Sequence, residues 1–214
     1  MGVLFDNLDL WGQALGNTLL LFLAGGAIAL VLGTIVGAMR VSPVPIARAV
    51  GTIYVNIVRN TPLTLIFFFF AFGYPQLLPS PGFTVLAMWA LGIYTATYVA
   101  EVIRAGINTV PVGQAEAARA IGLPFGQVMT LIVLPQAFRS VVPPMMSVFI
   151  ALLKNTTVAA GFSVMELGVI RAYLSERGEN ALVVLLWVAA IFVVLVLLLS
   201  LLQRRLENSW RIAR

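Results

Sequence analysis

Five long runs of apolar residues dominate this 214-residue sequence, and each is close to the length that crosses a lipid bilayer. A membrane-spanning helix needs about 20 mostly apolar residues. The runs cover residues 14–39, 63–78, 84–103, 141–162 and 181–202. Hydrophobic residues make up 61% of the chain and charged residues 10%, whereas soluble domains contain about 45–50% and about 25%. A soluble globule of this size could not bury so much apolar surface, so the sequence predicts an integral membrane protein.

The runs are continuous and show no alternation of polar and apolar residues, which favours helices over a membrane β-barrel. We therefore expect an all-α protein with five transmembrane helices in a single domain, residues 1–214. The chain has no cysteine and no histidine. Disulfides, Cys/His metal sites, thiolate nucleophiles and imidazole acid–base chemistry are excluded on that ground.

The distribution of arginine predicts the orientation of the chain in the membrane. An odd number of spans puts the two termini on opposite sides, and basic residues collect on the cytoplasmic side. With the N-terminus outside, only Arg171 and Arg177 remain outside. The other ten arginines are then cytoplasmic: Arg40, Arg48, Arg59, Arg104, Arg119, Arg139, Arg204, Arg205, Arg211 and Arg214. We expect the N-terminus outside and the C-terminus in the cytoplasm.

The segment between the third and fourth runs, about residues 104–140, has a helical pattern of its own. Residues 115–121 read AEAARAI, a strongly helix-favouring composition. Pro111 can begin this helix and Gly122 can end it. The less specific interpretation is a solvated loop that returns to the membrane.

A second short helix is expected immediately after that turn. Pro124 can begin it, residues 125–133 form it, and Leu134–Pro135 closes it. The fourth span then opens with Pro143–Pro144 in its first turn, where proline is tolerated. Two short helices would therefore meet at a Gly-Leu-Pro turn on the cytoplasmic face.

One polar patch interrupts the fourth span. Lys154, the only lysine, lies about thirteen residues into that run and is followed by Asn155, Thr156 and Thr157. At about 1.5 Å per residue this is about 20 Å into a core about 30 Å thick. A cation at that depth is costly unless it is paired or hydrated, so it marks a candidate functional site.

Structural alternatives exist for the same residues. Lys154 can extend its side chain outward to water, or form a structural pair with Glu101 or Glu166. Glu101 lies three residues before Arg104 near the inner end of the third span, so these two can pair on one helix face.

Four motifs together resemble a known family. Glu116-Ala117-Ala118, then Gly122, then Leu134-Pro135 resembles the EAA loop of permeases in binding-protein-dependent ABC importers. The string from residue 110 to 139 is similar to the polar amino acid branch of that family. Three further segments match that branch in order: VRNTPL at 58–63, AEVIRAGI at 100–107 and LLKNTTV at 152–158. The resemblance covers roughly residues 15–205 and implies the ABC type I importer permease fold.

The resemblance implies a transport subunit and not an enzyme. In this family the EAA helix is a coupling helix that sits in a groove of a cytoplasmic ATPase subunit. The residues implied in coupling are Glu116, Ala117, Ala118, Arg119, Gly122, Leu134 and Pro135. A P-loop needs Gly-Lys-[Ser/Thr], whereas Lys154 follows a leucine, so the ATPase must be a separate polypeptide. This chain would bind no cofactor, and ATP and Mg would belong to the ATPase.

The implied partners are those of a complete importer. They are an ATP-binding cassette ATPase dimer, a second permease subunit that is identical or paralogous, an extracytoplasmic solute-binding protein, the amino acid and membrane lipids, with no nucleic acid. The implied location is the bacterial cytoplasmic (inner) membrane, which the chain would cross several times. The residues expected along the substrate path are Lys154, Asn155, Thr156 and Glu101.

One departure from the family pattern bears on the substrate. The family motif often reads Lys-Asp-Thr, and this chain has Asn155 in place of the aspartate. A cationic substrate would prefer a nearby carboxylate, so the change argues mildly against arginine, lysine or histidine. Lysine with neutral amides and hydroxyls can receive a carboxylate, which favours glutamate, aspartate or glutamine.

Two other classes of membrane protein fit less well. A gradient-driven secondary carrier or channel is disfavoured by five spans without an inverted repeat and by few intramembrane carboxylates. An intramembrane enzyme lacks histidine, cysteine and a paired aspartate. Dependence of transport on an ATPase separates the importer from the carrier, and activity of the isolated chain would favour the enzyme.

Overall fold

The computed structural model describes residues 2–210, and every regular element in that part of the chain is a helix. Arg211 and Arg214, which the orientation argument uses, lie outside the described residues. The helices are α1 (Gly2–Phe5), α2 (Leu8–Val41), α3 (Pro45–Asn60), α4 (Leu63–Leu77), α5 (Phe83–Asn108), α6 (Val112–Ala120), α7 (Phe125–Phe162), α8 (Ile170–Glu176) and α9 (Ala181–Trp210).

Four of these helices, α2, α5, α7 and α9, are long and apolar enough to cross a membrane. Helices α3 and α4 form a fifth span if the two count together, although they meet at an angle of 98°. The prediction of an all-helical membrane protein with about five apolar helices is confirmed. The second predicted run, residues 63–78, corresponds to α4 alone, which is only half of the bent pair.

The bend between α3 and α4 follows from proline chemistry. Thr61, which precedes Pro62, has an extended backbone with ψ 128°. A residue before proline avoids the helical region because of a clash with the proline ring. Pro62 itself has no N–H to continue the hydrogen-bond ladder. The chain therefore changes direction at these two residues.

The predicted break at Leu134–Pro135 is wrong. Residues 125–162 form one helix, α7, so Pro143 and Pro144 lie well inside it and not in the first turn of a new span. The physical reason is a π-helical segment, Val128–Val133, in which Leu134 N–H donates to Met129 O, five residues back. The wider turn accommodates Pro135 without ending the helix. Prolines inside membrane helices are tolerated when local adjustments of this kind satisfy the backbone.

The centre of the bundle is the packing of α2 against α5, built on small residues. Gly25, Ala29, Gly33 and Gly37 are buried and recur every four residues along α2. A Cβ atom at Gly33 would lie 2.5 Å from Val99 Cβ on α5. Small residues at this spacing let two membrane helices approach closely. The stripe therefore serves packing within this chain.

Candidate functional site

Helix α6 carries the Glu-Ala-Ala motif and ends in a tight turn at Gly122. Gly122 has φ +88°, a left-handed conformation that glycine adopts readily. Its N–H donates to Arg119 O at 2.9 Å, and Leu123 N–H donates to Ala118 O at 3.1 Å. Both bonds satisfy carbonyls at the helix end, as in a Schellman-type cap. The turn directs the chain from α6 into α7.

The faces of α6 have different surroundings. Ala118 is buried against Val128 and Val133 of α7, whereas Glu116, Ala117 and Arg119 are exposed. Ala118 therefore packs α6 against α7, and Glu116, Ala117 and Arg119 are left exposed to solvent. Glu116 and Arg119 form no ion pair with each other within residues 2–210.

An open hollow of ≈ 490 Å³ lies between α6 and the start of α7. Gln136 Nε2 donates to Gln114 Oε1 across it at 2.6 Å. Ile121, at the end of α6, is 79% exposed beside the hollow. The lining residues are Gln114, Ala117, Ala118, Ile121, Leu131, Ile132 and Gln136.

The Leu134-Pro135 part of the motif lies apart from this exposed face. Both residues are in α7 and line a mainly apolar cleft of ≈ 590 Å³ that also includes Ile103 and Ile107 of α5 and Leu30 of α2. They shape the junction of α7 with the bundle.

A groove runs along the contact of α5 with α7, and we call it the α5–α7 groove. Two cavities occupy it, of ≈ 430 Å³ and ≈ 390 Å³. The lining positions include 94, 98, 101 and 105 of α5 with its C-cap residue 109, and 155, 151, 147, 144 and 140 of α7. Steps of three or four residues keep to one helix face. The two cavities therefore lie one after the other in this groove, the first beside the polar patch and the second next to α6.

The first cavity is lined by a tyrosine pair that the sequence interpretation missed. Tyr94 and Tyr98 are four residues apart on α5, and their hydroxyls are 2.9 Å from each other. Ser147 and Asn155 of α7 line the same cavity, and buried Thr95 lies beside them. Two tyrosines and a threonine at helical spacing in an apolar run were the available signal.

The predicted substrate-path residues lie in different surroundings. Asn155 lines the first cavity and Glu101 the second. Thr156 is buried and its hydroxyl donates to Leu153 O at 2.7 Å. Lys154 is exposed on the surface of the chain. Within the described residues it pairs with neither of the glutamates that the structural alternative named.

Glu101 is held by three arginines from three helices, and we call this group the Glu101 cluster. Arg40 Nη1 of α2 is 2.8 Å from Glu101 Oε1, and Arg59 Nη1 of α3 is 3.3 Å from the same oxygen. Arg104 donates from Nε and Nη2 to Glu101 Oε2 at 3.1 and 3.0 Å, so the predicted pairing is present. Three guanidinium groups against one carboxylate leave a net charge of +2.

A second glutamate, Glu166, is fully buried in the segment between α7 and α8. That segment is tied to α2, because Asn17 Nδ2 donates to Met165 O at 2.6 Å and Leu167 N–H donates to Thr18 Oγ1 at 3.1 Å. Burial raises the pKa of the Glu166 carboxyl to about 7, and the backbone N–H groups of Gly168 and Val169 lower it in part. Neither carboxyl oxygen has a well-aligned hydrogen-bond partner among residues 2–210.

An apolar helical bundle, a groove with a few polar side chains between two of its helices and a short exposed helix beside one end of that groove are features of a membrane transport subunit. The chain belongs to the family described as the binding-protein-dependent transport system inner membrane component, whose model matches residues 10–212. The resemblance inferred from the motifs is thereby confirmed, and the chain is an ABC importer permease.

Named relatives agree with that assignment. The glutamate transport system permease protein GluC of Corynebacterium glutamicum is 45% identical over 185 residues, which are 81% of this chain and 80% of the relative. The probable glutamine ABC transporter permease protein GlnM of Bacillus subtilis is 37% identical over 98% of this chain and 99% of its own. The glutamate/aspartate import permease protein GltJ of Escherichia coli is 31% identical over 89% of this chain and 84% of its own.

Solved structures have the same fold. A crystal structure of an amino acid ABC transporter with histidines aligns with a TM-score of 0.90 and 27% identity, over 95% of both chains. The MetNI methionine ABC transporter in an inward-facing conformation aligns with a TM-score of 0.84 and 21% identity, over 97% of this chain and 99% of that chain. The second match concerns the fold alone.

Proposed function

We propose that this chain is the permease subunit of an ATP-driven importer for polar amino acids, with glutamate, aspartate or glutamine as the cargo. The observation that carries the proposal is the likeness to glutamate and glutamine permeases along most of the chain, together with an α5–α7 groove that carries several polar side chains and ends at a cluster of net positive charge. A cationic amino acid would be repelled by that cluster, whereas a carboxylate would be attracted to it.

Helix α6 is the element through which the chain would couple to a separate ATPase. Its exposed Glu116, Ala117 and Arg119, and the hollow beside Ile121, form a surface that a rigid partner can contact. Buried Ala118 would carry movement of α6 into α7, because the two helices are packed together there. ATP and Mg would bind the ATPase, which supplies the only covalent chemistry.

The α5–α7 groove would form one half of the substrate path. It is open along its length, so a second permease subunit, identical or paralogous, would close it. Asn155 would contact cargo in the first cavity. Lys154, exposed next to Asn155, would reach cargo only where the two subunits meet.

The expected location is the bacterial cytoplasmic (inner) membrane, with the N-terminus outside and the C-terminus in the cytoplasm. This orientation puts the Glu101 cluster and α6 on the cytoplasmic side, in agreement with the positive-inside rule. An extracytoplasmic solute-binding protein would then deliver cargo to the opposite end of the groove.

Reconstitution tests the proposal. The chain is purified from native membranes with its bound partners and placed in proteoliposomes with the solute-binding protein. We expect a Walker-A ATPase to copurify, and ATP to drive uptake of labelled glutamate, aspartate or glutamine in preference to arginine. The control is an ATPase variant that binds ATP without hydrolysing it. Uptake that persists with this variant and collapses with an ionophore would establish a gradient-driven carrier instead.

A further inference from the structure

We propose that Arg59 forms a second binding site for cargo at the end of the α5–α7 groove next to α6, where it takes the cargo carboxylate in exchange for Glu101. The inference rests on the proposed function, because the ligand is the amino acid that the groove would carry. It adds a site between the middle of the groove and the cytoplasm, and we call it the Arg59 site.

The two cavities of the α5–α7 groove follow one another along the same helix faces. Arg59 and Glu101 both line the second cavity, which shares the same helix faces as the cavity at Asn155. Cargo that leaves the first cavity along this path passes the guanidinium of Arg59 before it leaves the groove. The second cavity, at ≈ 390 Å³, is nearly as large as the first at ≈ 430 Å³.

The three arginine contacts in the Glu101 cluster are unequal in distance and exposure. Arg40 is only 9% exposed and lies 2.8 Å from Glu101, and Arg104 donates twice to the other carboxylate oxygen. Arg59 is 40% exposed and lies 3.3 Å away through a single nitrogen. Exposed ion pairs are weak, and long ones weaker still. Arg59 is therefore the arginine that exchanges its partner most easily.

The charged groups of an amino acid match the groups in the second cavity. An amino acid carries a carboxylate and an ammonium group at a short separation. The guanidinium of Arg59 can bind the carboxylate with two parallel N–H donors. Glu101, still held by Arg40 and Arg104, can accept from the ammonium group. Thr109 and Ser140, whose hydroxyls lie 3.1 Å apart, add neutral hydrogen-bonding groups to the same cavity.

The anion at this site could also come from lipid, since basic pockets between membrane helices bind anionic headgroups. The common chemistry is an oxyanion on the Arg59 guanidinium. The Arg59 cavity follows the Asn155 cavity along the same faces of α5 and α7, which favours cargo as the source. The experiment separates the two sources.

Thiol modification tests the site, because the chain contains no cysteine of its own. Ala105→Cys places a thiol in the second cavity, where the native residue is exposed. The assembled transporter in phosphatidylcholine nanodiscs is treated with thiosulfonate reagents of equal size and opposite charge. We expect the anionic reagent to be favoured, and Arg59→Gln to slow its reaction by about fivefold, the effect of one unit charge at close range in water.

The second measurement is the rate of thiol modification in the presence of L-glutamate. We expect glutamate to slow the modification of Ala105→Cys, to lose this effect with Arg59→Gln and to retain it in part with Arg59→Lys, which keeps the charge. The control is Arg48→Gln, which removes an exposed arginine of the same helix whose partner is Ser42 O. Gly113→Cys on the exposed side of α6 controls for effects on the reagent itself.

The outcomes separate the inferences. Equal protection in Arg59→Gln and Arg48→Gln would overturn the Arg59 site, even where ATP-driven glutamate uptake is normal. If phosphatidylglycerol in the nanodiscs abolishes the charge preference and glutamate does not, the occupant is a lipid phosphate and the cargo site is overturned. Absence of ATP-driven uptake by the parent transporter would instead count against the proposed function, while the charge preference would still report the cationic cavity.

Discussion

Arg40 Nη1 lies 2.8 Å from Glu101 Oε1, and this contact joins the end of α2 to α5 through an arginine side chain that is only 9% exposed. The two charges are only part of the cluster, since Arg59 and Arg104 contact the same carboxylate. Neither Arg40 Nε nor Arg40 Nη1 has a well-aligned hydrogen-bond partner among the described residues, so the charge of Glu101 is what compensates for the burial of this guanidinium. Glu101 therefore holds the ends of three helices together.

The three contacts predict an order of stability loss. Glu101→Gln leaves Arg40 buried without a counter-charge, and we expect a cost of about 3–5 kcal/mol, the range for a broken buried pair. Arg40→Gln leaves Glu101 with two other arginines, so its cost should be smaller, about 2 kcal/mol. Arg104→Gln removes a partly exposed partner and should cost less than about 1 kcal/mol. Thermal unfolding of the purified variants in detergent measures the order, and an effect of Arg104→Gln equal to that of Glu101→Gln would contradict it.

Close packing at Gly33 makes a second prediction. A Cβ atom there would lie 2.5 Å from Val99 Cβ and 2.8 Å from Ala96 O, so a methyl group forces α2 away from α5. Overpacking of this kind typically costs about 1–3 kcal/mol. Gly16→Ala on the same helix is the matched control, because no atom lies within 4 Å of its Cβ position. We expect a lower melting temperature for Gly33→Ala and little change, or a small increase, for Gly16→Ala.

The membrane helices could be predicted from sequence because their signal is local. A long apolar run is sufficient to place α2, α5 and α9, and the bend before α4 follows from Pro62 and the extended residue before it. The continuity of α7 could not be predicted in the same way. A proline inside a helical sequence usually ends the helix. Here a π-helical turn, which has no plain sequence signal, lets α7 continue past Pro135.

The site could be predicted only in part because it depends on contacts distant in sequence. The Glu-Ala-Ala helix and the turn at Gly122 are local features, and both are present. The Glu101–Arg104 pair, three residues apart, is also local. The contacts of Arg40 and Arg59 with the same carboxylate join residues 61 and 42 positions away and need the packing of α2 and α3 against α5.

Gly122 provides a test of coupling. Its φ of +88° strains any residue with a side chain, and a β-branched residue most of all. We expect Gly122→Val to cost about 1–2 kcal/mol locally and to tilt α6 away from the position in which the ATPase meets it. ATP hydrolysis should continue while uptake per ATP falls by roughly tenfold, a change of about 1.4 kcal/mol in coupling.

The control for Gly122 is Gly126→Val. Gly126 is exposed in the first turn of α7, has an ordinary backbone conformation and has no atom within 4 Å of its Cβ position outside its own helix backbone. It should insert, assemble and transport normally. Normal uptake per ATP in Gly122→Val would remove α6 from the coupling mechanism.

Asn155 provides a test of substrate charge. Asn155→Asp introduces a carboxylate into the first cavity without a change of shape. A carboxylate there repels an anionic cargo and attracts a cationic one. We expect the ratio of glutamate to arginine uptake to fall by about tenfold, equivalent to about 1.4 kcal/mol. Asn155→Ser, which removes the amide without adding charge, should lower both rates and leave their ratio nearly unchanged.

Glu166 predicts a dependence of stability on pH. Burial raises the pKa of its carboxyl from 4.5 to about 7, so the folded state binds the proton more tightly than the unfolded state does. Stability from this group is fully present below about pH 4.5 and is lost as the pH rises through about 7. The expected loss is a few kcal/mol, since one pKa unit corresponds to about 1.4 kcal/mol.

Glu166→Gln isolates this effect, because the amide has the shape of the neutral carboxyl and does not ionise. We expect the parent protein to lose more of its melting temperature between pH 5 and pH 8 than Glu166→Gln loses, with the variant the more stable of the two at pH 8. Glu176→Gln, at an exposed position of α8, is the charge-matched control and should follow the parent. Parallel pH profiles for Glu166→Gln and the parent would contradict this prediction. They would show that water or another polar group reaches the carboxyl. The segment tied to α2 through Asn17 and Thr18 would then have to open in the native protein.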